Sequence, residues 1–111
     1  MAPQRERVST DGHDVALHYR IGGGPSKVAP VVNVGPGGVA ARLGERVEPG
    51  TEVSLRLVLG EGKVISGHGR VVWSSSDEST GGLSFMGLDE YSRRLLQLWL
   101  SDLAQGNVRE P

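Results

Sequence analysis

Residues 53–73 read Val-Ser-Leu-Arg-Leu-Val-Leu-Gly-Glu-Gly-Lys-Val-Ile-Ser-Gly-His-Gly-Arg-Val-Val-Trp. Val53, Leu55, Leu57 and Leu59 fall at every second position, so an extended backbone turns all of them to one face and leaves Ser54 and Arg56 on the other. Gly60-Glu61-Gly62-Lys63 supplies the residues of a hairpin loop, and Val64 to Trp73 is long enough to return as a partner strand with Ile65, Val71 and Trp73 on one side. Gly67 and Gly69 share that side. Glycines on an inward face mark a place where a sheet curls tightly, which suits a small closed barrel better than a flat sheet.

The same alternation recurs on both sides of this hairpin. Upstream, Val15, Leu17, Tyr19 and Ile21 alternate with Ala16, His18 and Arg20 until Gly22-Gly23-Gly24-Pro25-Ser26 ends the run. Val28 to Val34 is rich in β-branched residues, and Pro30 puts that strand at an edge or bulge because proline cannot donate to a ladder. Gly35-Pro36-Gly37-Gly38 is a compact turn into a short strand with Val39, Ala41 and Leu43 on one face, and Glu48-Pro49-Gly50-Thr51 turns the chain again. Downstream, Ser74 to Thr80 is a polar loop and Leu83 with Phe85 makes a last short strand.

The period then lengthens. Asp89 is placed to cap a helix, Glu90 sits near its positive end, and Gly106-Asn107 is a stop signal. Tyr91, Leu95, Leu96, Leu98, Trp99, Leu100 and Leu103 spread over roughly 200° of the helical wheel, wider than the ~100° stripe that one core requires. Two occupants can account for that width, the barrel itself or a second protein; for the second, Leu96, Trp99, Leu100 and Leu103 are the contact candidates. The expected fold is all-β with one helix: a small six-stranded antiparallel barrel plus a C-terminal α-helix, with residues 1–12 a flexible polar arm, 13–105 the barrel and helix, and 106–111 a tail.

Composition limits what such a domain does. At 111 residues the chain is one domain long. Its 37% apolar content is low only because Gly contributes 17 residues that the figure leaves out. Twelve Lys and Arg against 13 Asp and Glu give a formal charge of -1, so no broad positive field favours nucleic acid or an anionic membrane. The chain has no cysteine, which excludes disulfides, thiol nucleophiles and cysteine zinc sites. No stretch has the length of a signal peptide core or a spanning helix, so a cytoplasmic protein without membrane insertion is expected.

Catalytic patterns are missing. Asp11-Gly12-His13-Asp14 superficially resembles a metal cluster, but in a polar arm it reads as a solvated turn, and no metal is expected. Gly82-Leu83-Ser84-Phe85-Met86 misses the nucleophile elbow at its last glycine, and Gly35-Pro36-Gly37-Gly38 leads into a strand rather than a phosphate-binding helix. No enzyme and no resident cofactor are expected. Recognition remains: Asn33 and the glycine turn after it combine an amide side chain with backbone N–H groups in a concave turn, or else Asn33 only satisfies its own hairpin.

The order of features is more specific than any one of them. An arginine-bearing arm, Asn33-Val34-Gly35-Pro36-Gly37-Gly38, a Pro-Gly-Thr turn before Val53, Gly69-Arg-Val-Val-Trp73, Gly82-Leu-Ser-Phe85 and a terminal helix together resemble the PilZ domain family, over about residues 5 to 104. The resemblance implies a six-stranded barrel with a terminal helix and bacterial signalling through cyclic di-GMP. The family's second motif is [D/N]xSxxG; Asn33 and Gly38 match its ends, but Gly35 stands at the serine position. Its first motif is RxxxR, whereas Arg5 and Arg7 lie two apart and position 9 is Ser9. Candidate ligand-binding residues are thus Arg5, Arg7, Asn33, Gly35 and Gly38. The implied function is a non-enzymatic signalling adaptor in motility or surface behaviour that contacts a protein partner, through the helix or the surface around His68, Arg70 and Arg42, with cyclic di-GMP binding weakened or lost. A homodimer would use the same helix face. The alternative is a competent receptor whose arginine arm orders on cyclic di-GMP, since alternate residues of an extended arm present both guanidiniums to one side.

Overall fold

The alternating segments form the strands and the seven-residue spread forms the helix. The structure, a computed structural model, describes residues 8–9, 15–60, 62–75 and 80–109, with side chains at 15–60, 62–75 and 80–102. In chain order the elements are β1 (Val8–Ser9), β2 (Ala16–Ile21), β3 (Lys27–Gly35), β4 (Gly38–Arg42), β5 (Glu52–Gly60), β6 (Lys63–Ser74), β7 (Thr80–Leu88) and α1 (Glu90–Arg109). Every strand pairing is antiparallel, in the order β1-β3-β2-β5-β6-β7-β4, and β3 also pairs with β4. That extra pairing closes the sheet. The first part of β3 pairs with β2, its last part with β4, and a register shift between Val31 and Asn33 marks the changeover. Pro30 lies beside the shift, opposite Ala16. Strands β2 to β7 are the six-stranded barrel, and β1 is an addition to it.

Closure places the predicted inward faces together. Leu17, Leu57, Ile65, Val34, Val39, Val71 and Leu96 are the largest fully buried side chains. Burying each aliphatic side chain contributes roughly 1.5–3 kcal/mol, so this interior is the main stabilising element. The barrel is narrow where the glycines fall: a methyl on Gly69 would sit 2.8 Å from Leu55 Cδ2 and 3.0 Å from the Ser84 carbonyl oxygen, and one on Gly67 would strike the Gly87 carbonyl. Past the end of β4, Leu43 and Val47 are buried in the same core as Tyr19 and plug it there. The Tyr19 hydroxyl lies 2.9 Å from Glu45 Oε2 and 3.2 Å from the Leu43 carbonyl, and Lys27 Nζ donates to the same Glu45 oxygen at 2.7 Å.

Four expectations need correction. Trp73 does not face inward with Ile65 and Val71: a register shift between Val71 and Trp73 turns both Val72 and Trp73 out, leaving Trp73 47% exposed with its indole lying across Gly82. The helix does not stop at Gly106-Asn107 but continues to Arg109, because one glycine costs a helix only about 1 kcal/mol. The arm is not wholly outside the sheet, since Val8 and Ser9 pair with Val34 and Asn33 and cover backbone of β3 that β2 does not reach. Finally, Leu96 is not a surface residue: it is 1% exposed and belongs to the core.

Two contacts fix the helix to the barrel. The Ser92 N–H donates to Asp89 Oδ1 at 2.7 Å, the N-cap bond expected of Asp89. The buried Ser92 hydroxyl accepts the Ser66 N–H at 3.2 Å, just beyond the point where β7 stops pairing with β6. Among the described residues no helix is long and apolar enough to cross a membrane.

Candidate functional site

The turn singled out in the sequence is the β3–β4 hairpin. Asn33 is half-buried and pairs with Ala40 on one side and with Ser9 of β1 on the other. Gly35 and Gly38 are both buried and face each other across Pro36-Gly37. No side chain larger than hydrogen fits at Gly38, where a methyl would run into the Leu83 carbonyl oxygen. The turn is clamped from the β7 side as well, the Phe85 N–H donating to the Gly37 carbonyl at 2.9 Å. Three of the sequence candidates, Asn33, Gly35 and Gly38, therefore meet at one hairpin, while Arg5 and Arg7 lie outside the described residues.

What the sequence did not reveal is the position of Ser9. The register of β1 sets Ser9, which occupies the place of the family motif's second arginine, directly opposite Asn33. The only available signal was Val8, the one β-branched aliphatic residue in the arm. Among the described side chains this site carries the Asn33 amide beside glycines and no formal charge.

The helix candidates divide by burial. Leu96 faces the barrel one turn after Ser92, and Trp99 and Leu100 are half-buried against the same core. The Leu103 side chain lies outside the described residues. Among the described residues, the large apolar side chains that α1 exposes are Tyr91, at 73%, and Leu98, at 60%. The described part of the predicted stripe thus splits into a core face and two outward residues.

The cluster of His68, Arg70 and Arg42 is not one surface. His68 and Arg70 follow one another on the outer face of β6, with Arg70 held by Glu52 Oε2 at 3.0 Å. Arg42 ends β4 opposite Thr80, in the row that reaches the last residues of β6, roughly 20 Å along the strand from His68.

Charge at the plugged barrel end is structural. Lys27 and then Tyr19, both hydrogen-bonded to Glu45, hold its carboxyl below the usual carboxylate range. Burial first, and then the Glu45 hydrogen bond and charge, push the Tyr19 hydroxyl up to about 12. Ser84 lies inside β7, paired with Gly38 and Arg70, and not at a strand-to-helix elbow. The Asp11-His13-Asp14 segment lies outside the described residues, and among those described no group of three His, Asp or Glu side chains could hold a metal.

With the geometry in hand, the chain can be set beside known proteins. The family model described as PilZ domain matches residues 4–102. No curated protein matches by sequence. Among solved structures the chain is similar to Escherichia coli YcgR in complex with c-di-GMP, at 15% identity and a TM-score of 0.77, covering 91% of this chain and 45% of that one. It is similar to the Bacillus subtilis inhibitor of motility, MotI/DgrA, at 17% identity and a TM-score of 0.75, covering 94% of this chain and 51% of that one. The separate PilZ domain of E. coli YcgR with c-di-GMP gives 14% identity, a TM-score of 0.71 and coverage of 91% and 90%. The chain spans about half the length of the first two of these proteins.

Proposed function

Because this chain belongs to the PilZ domain family, we propose that it is a signalling adaptor which acts by contact with a protein partner and in which the affinity for cyclic di-GMP is weakened or lost. The observation that carries this reading is the composition of the hairpin site. Gly35 supplies no hydroxyl where the family motif has serine, and Ser9 stands opposite Asn33 where the motif has arginine. A charge-assisted hydrogen bond contributes roughly 1.5–3 kcal/mol and each ~1.4 kcal/mol is tenfold in affinity, so losing two such contacts weakens a ligand by about a hundredfold or more. A micromolar site becomes nearly millimolar.

The neighbours support the setting. One is in complex with c-di-GMP and another is an inhibitor of motility, which supports a role in regulating motility or surface behaviour. Docking of β1 favours one second reading. Since Val8 and Ser9 lie beside Asn33, Arg5 and Arg7 are only a few residues from the turn, and together with Asn33 and Gly38 they would close on cyclic di-GMP as a receptor.

One titration separates the two. Calorimetric binding of cyclic di-GMP is compared between the natural chain, Arg5→Ala/Arg7→Ala and Ser9→Arg/Gly35→Ser, each checked for folding. The adaptor reading expects weak binding by the natural chain, little change in the first variant and at least a tenfold gain in the second, worth ~1.4 kcal/mol. Tight binding by the natural chain that disappears in Arg5→Ala/Arg7→Ala contradicts it and makes the chain a receptor.

A further inference from the structure

We propose that the outer face of β2, β5 and β6 is the surface that receives the protein partner, and that it binds an acidic, extended segment of that partner. The inference deepens the adaptor reading and rests on it for the existence of a partner.

The register builds the surface. His18 pairs with Arg56, which pairs with Ser66; in the next row Arg20 pairs with Ser54, which pairs with His68. Because Tyr19, Leu55 and Leu57 between them point into the core, these six side chains all point outward. Five of the six are exposed and His18 is half-buried. All can donate hydrogen bonds, and two are guanidiniums.

Neutralisation is uneven over the molecule. Lys27 is paired with Glu45, Arg46 with Glu48 and Arg70 with Glu52. No carboxylate of the described residues lies within ion-pair distance of Arg20 or Arg56. Two carboxylates border the face, Glu52 paired with Arg70 and Asp89 accepting the Ser92 N–H with its charge intact, so Arg20, Arg56 and Arg70 outnumber them three to two. A chain of net charge -1 therefore carries a local positive patch. Shape agrees with charge. Two shallow depressions of about 230 and 470 Å³ flank Arg56, one on the β2 side with Arg20 and Ser54 and one on the β6 side with Ser66 and His68, the latter also edged by Asp89, so the acidic segment is directed to the β2 side.

The spacing selects the occupant. Strands lie ~4.8 Å apart and alternate residues ~6.8 Å apart, so Arg20 and Arg56, on adjacent strands two residues out of row, have backbones roughly 8 Å apart. An extended peptide with Glu or Asp at alternate positions repeats its carboxylates at ~6.8 Å, which matches two arginines reaching from this frame, and the serine hydroxyls and imidazoles lie between them. Nucleic acid or an anionic membrane needs a wider field than two arginines on an otherwise near-neutral chain. Binding of this kind is steered by charge and falls with ionic strength.

The test uses the full chain, isotope-labelled for NMR, titrated at about 50 mM salt with a short synthetic peptide of alternating glutamate and serine; alternating lysine and serine is the control. The expected result is saturable binding of the acidic peptide alone, with amide shifts confined to residues around Ser54, Arg56, Ser66 and His68. Arg20→Glu/Arg56→Glu is expected to weaken that binding tenfold or more with an unchanged melting temperature, and Asn33→Ala to leave it unaltered. No binding, shifts elsewhere, equal affinity in the charge-reversed variant, or binding to an oligonucleotide or anionic vesicle in place of the peptide would each overturn the proposal. A cyclic di-GMP titration of the same samples keeps the two readings apart: tight nucleotide binding defeats the weakened-ligand reading whatever the peptide does, and peptide failure leaves that reading standing.

Discussion

The β3–β4 hairpin and the outer face of β2, β5 and β6 are built from the same antiparallel ladder, yet they offer a ligand opposite things. The hairpin is closed backbone: Gly38 leaves no room for a methyl against Leu83, Phe85 bonds across to Gly37, and Asn33 is the polar side chain described there. The sheet face is open and consists of side chains, among them Arg20 and Arg56 with no carboxylate of the described residues to neutralise them. The difference teaches that one antiparallel ladder can be all closed backbone at a turn and all open side chains on a face. Backbone geometry at the hairpin is retained because closing the barrel requires it. Charge at that site is under no such constraint.

If this contrast is right, the frame is sensitive to small changes and the sheet face is not. The largest effect is expected from Leu96→Ala, which empties a fully buried site shared by helix and barrel and should cost about 3 kcal/mol, lowering the melting temperature by on the order of ten degrees. Near-normal stability in a thermal melt would mean that the helix face is available to a partner after all. Gly38→Ala comes next, at about 2 kcal/mol, because the added methyl meets backbone that cannot yield; equal stability by urea titration would show that the hairpin is not closed.

A smaller effect is expected at the plugged end. The Glu45 carboxyl is held low, first by Lys27 and then by Tyr19, so its contribution is present above the ordinary value of 4.5 and is lost as pH falls through the lowered one. Glu45→Gln should therefore flatten the acid side of a stability-against-pH curve, and an unchanged curve would count against a stabilising role for the Glu45 contacts with Lys27 and Tyr19. The smallest effect is expected from Arg20→Glu/Arg56→Glu, within about 0.5 kcal/mol of the natural chain, as befits exposed side chains with no ion-pair partner among the described residues. A large loss would make the sheet face structural and end its contrast with the hairpin.

The barrel was legible because period two is a local signal: Leu17 to Tyr19, Val53 to Leu59 and Val71 each obey it and each is buried. The inward glycines at positions 67 and 69 also gave the tight curvature correctly. Trp73 was misread because a bulge shifts the alternation by one residue, and nothing in Arg70-Val-Val-Trp73 distinguishes a regular strand from a bulged one. The helix stripe was read as wider than its core face because Tyr91 and Leu98, though apolar, point outward. At the candidate site, Asn33, Gly35 and Gly38 were singled out through the resemblance and its motif, and the structure brings the three to one hairpin. The docking of β1 was not, since two residues of pairing leave no periodic trace, and the sheet face is visible only once the register sets three separate segments side by side.

The central claim is that the frame of the ligand turn survives here while strong cyclic di-GMP binding does not. Thermal unfolding with and without about 100 µM cyclic di-GMP tests it most directly, since a site of about 1 µM would add ~2.7 kcal/mol and raise the midpoint by on the order of ten degrees. The account predicts superimposable transitions; a rise of that size would contradict it and make the hairpin, with its arginine arm, a working receptor.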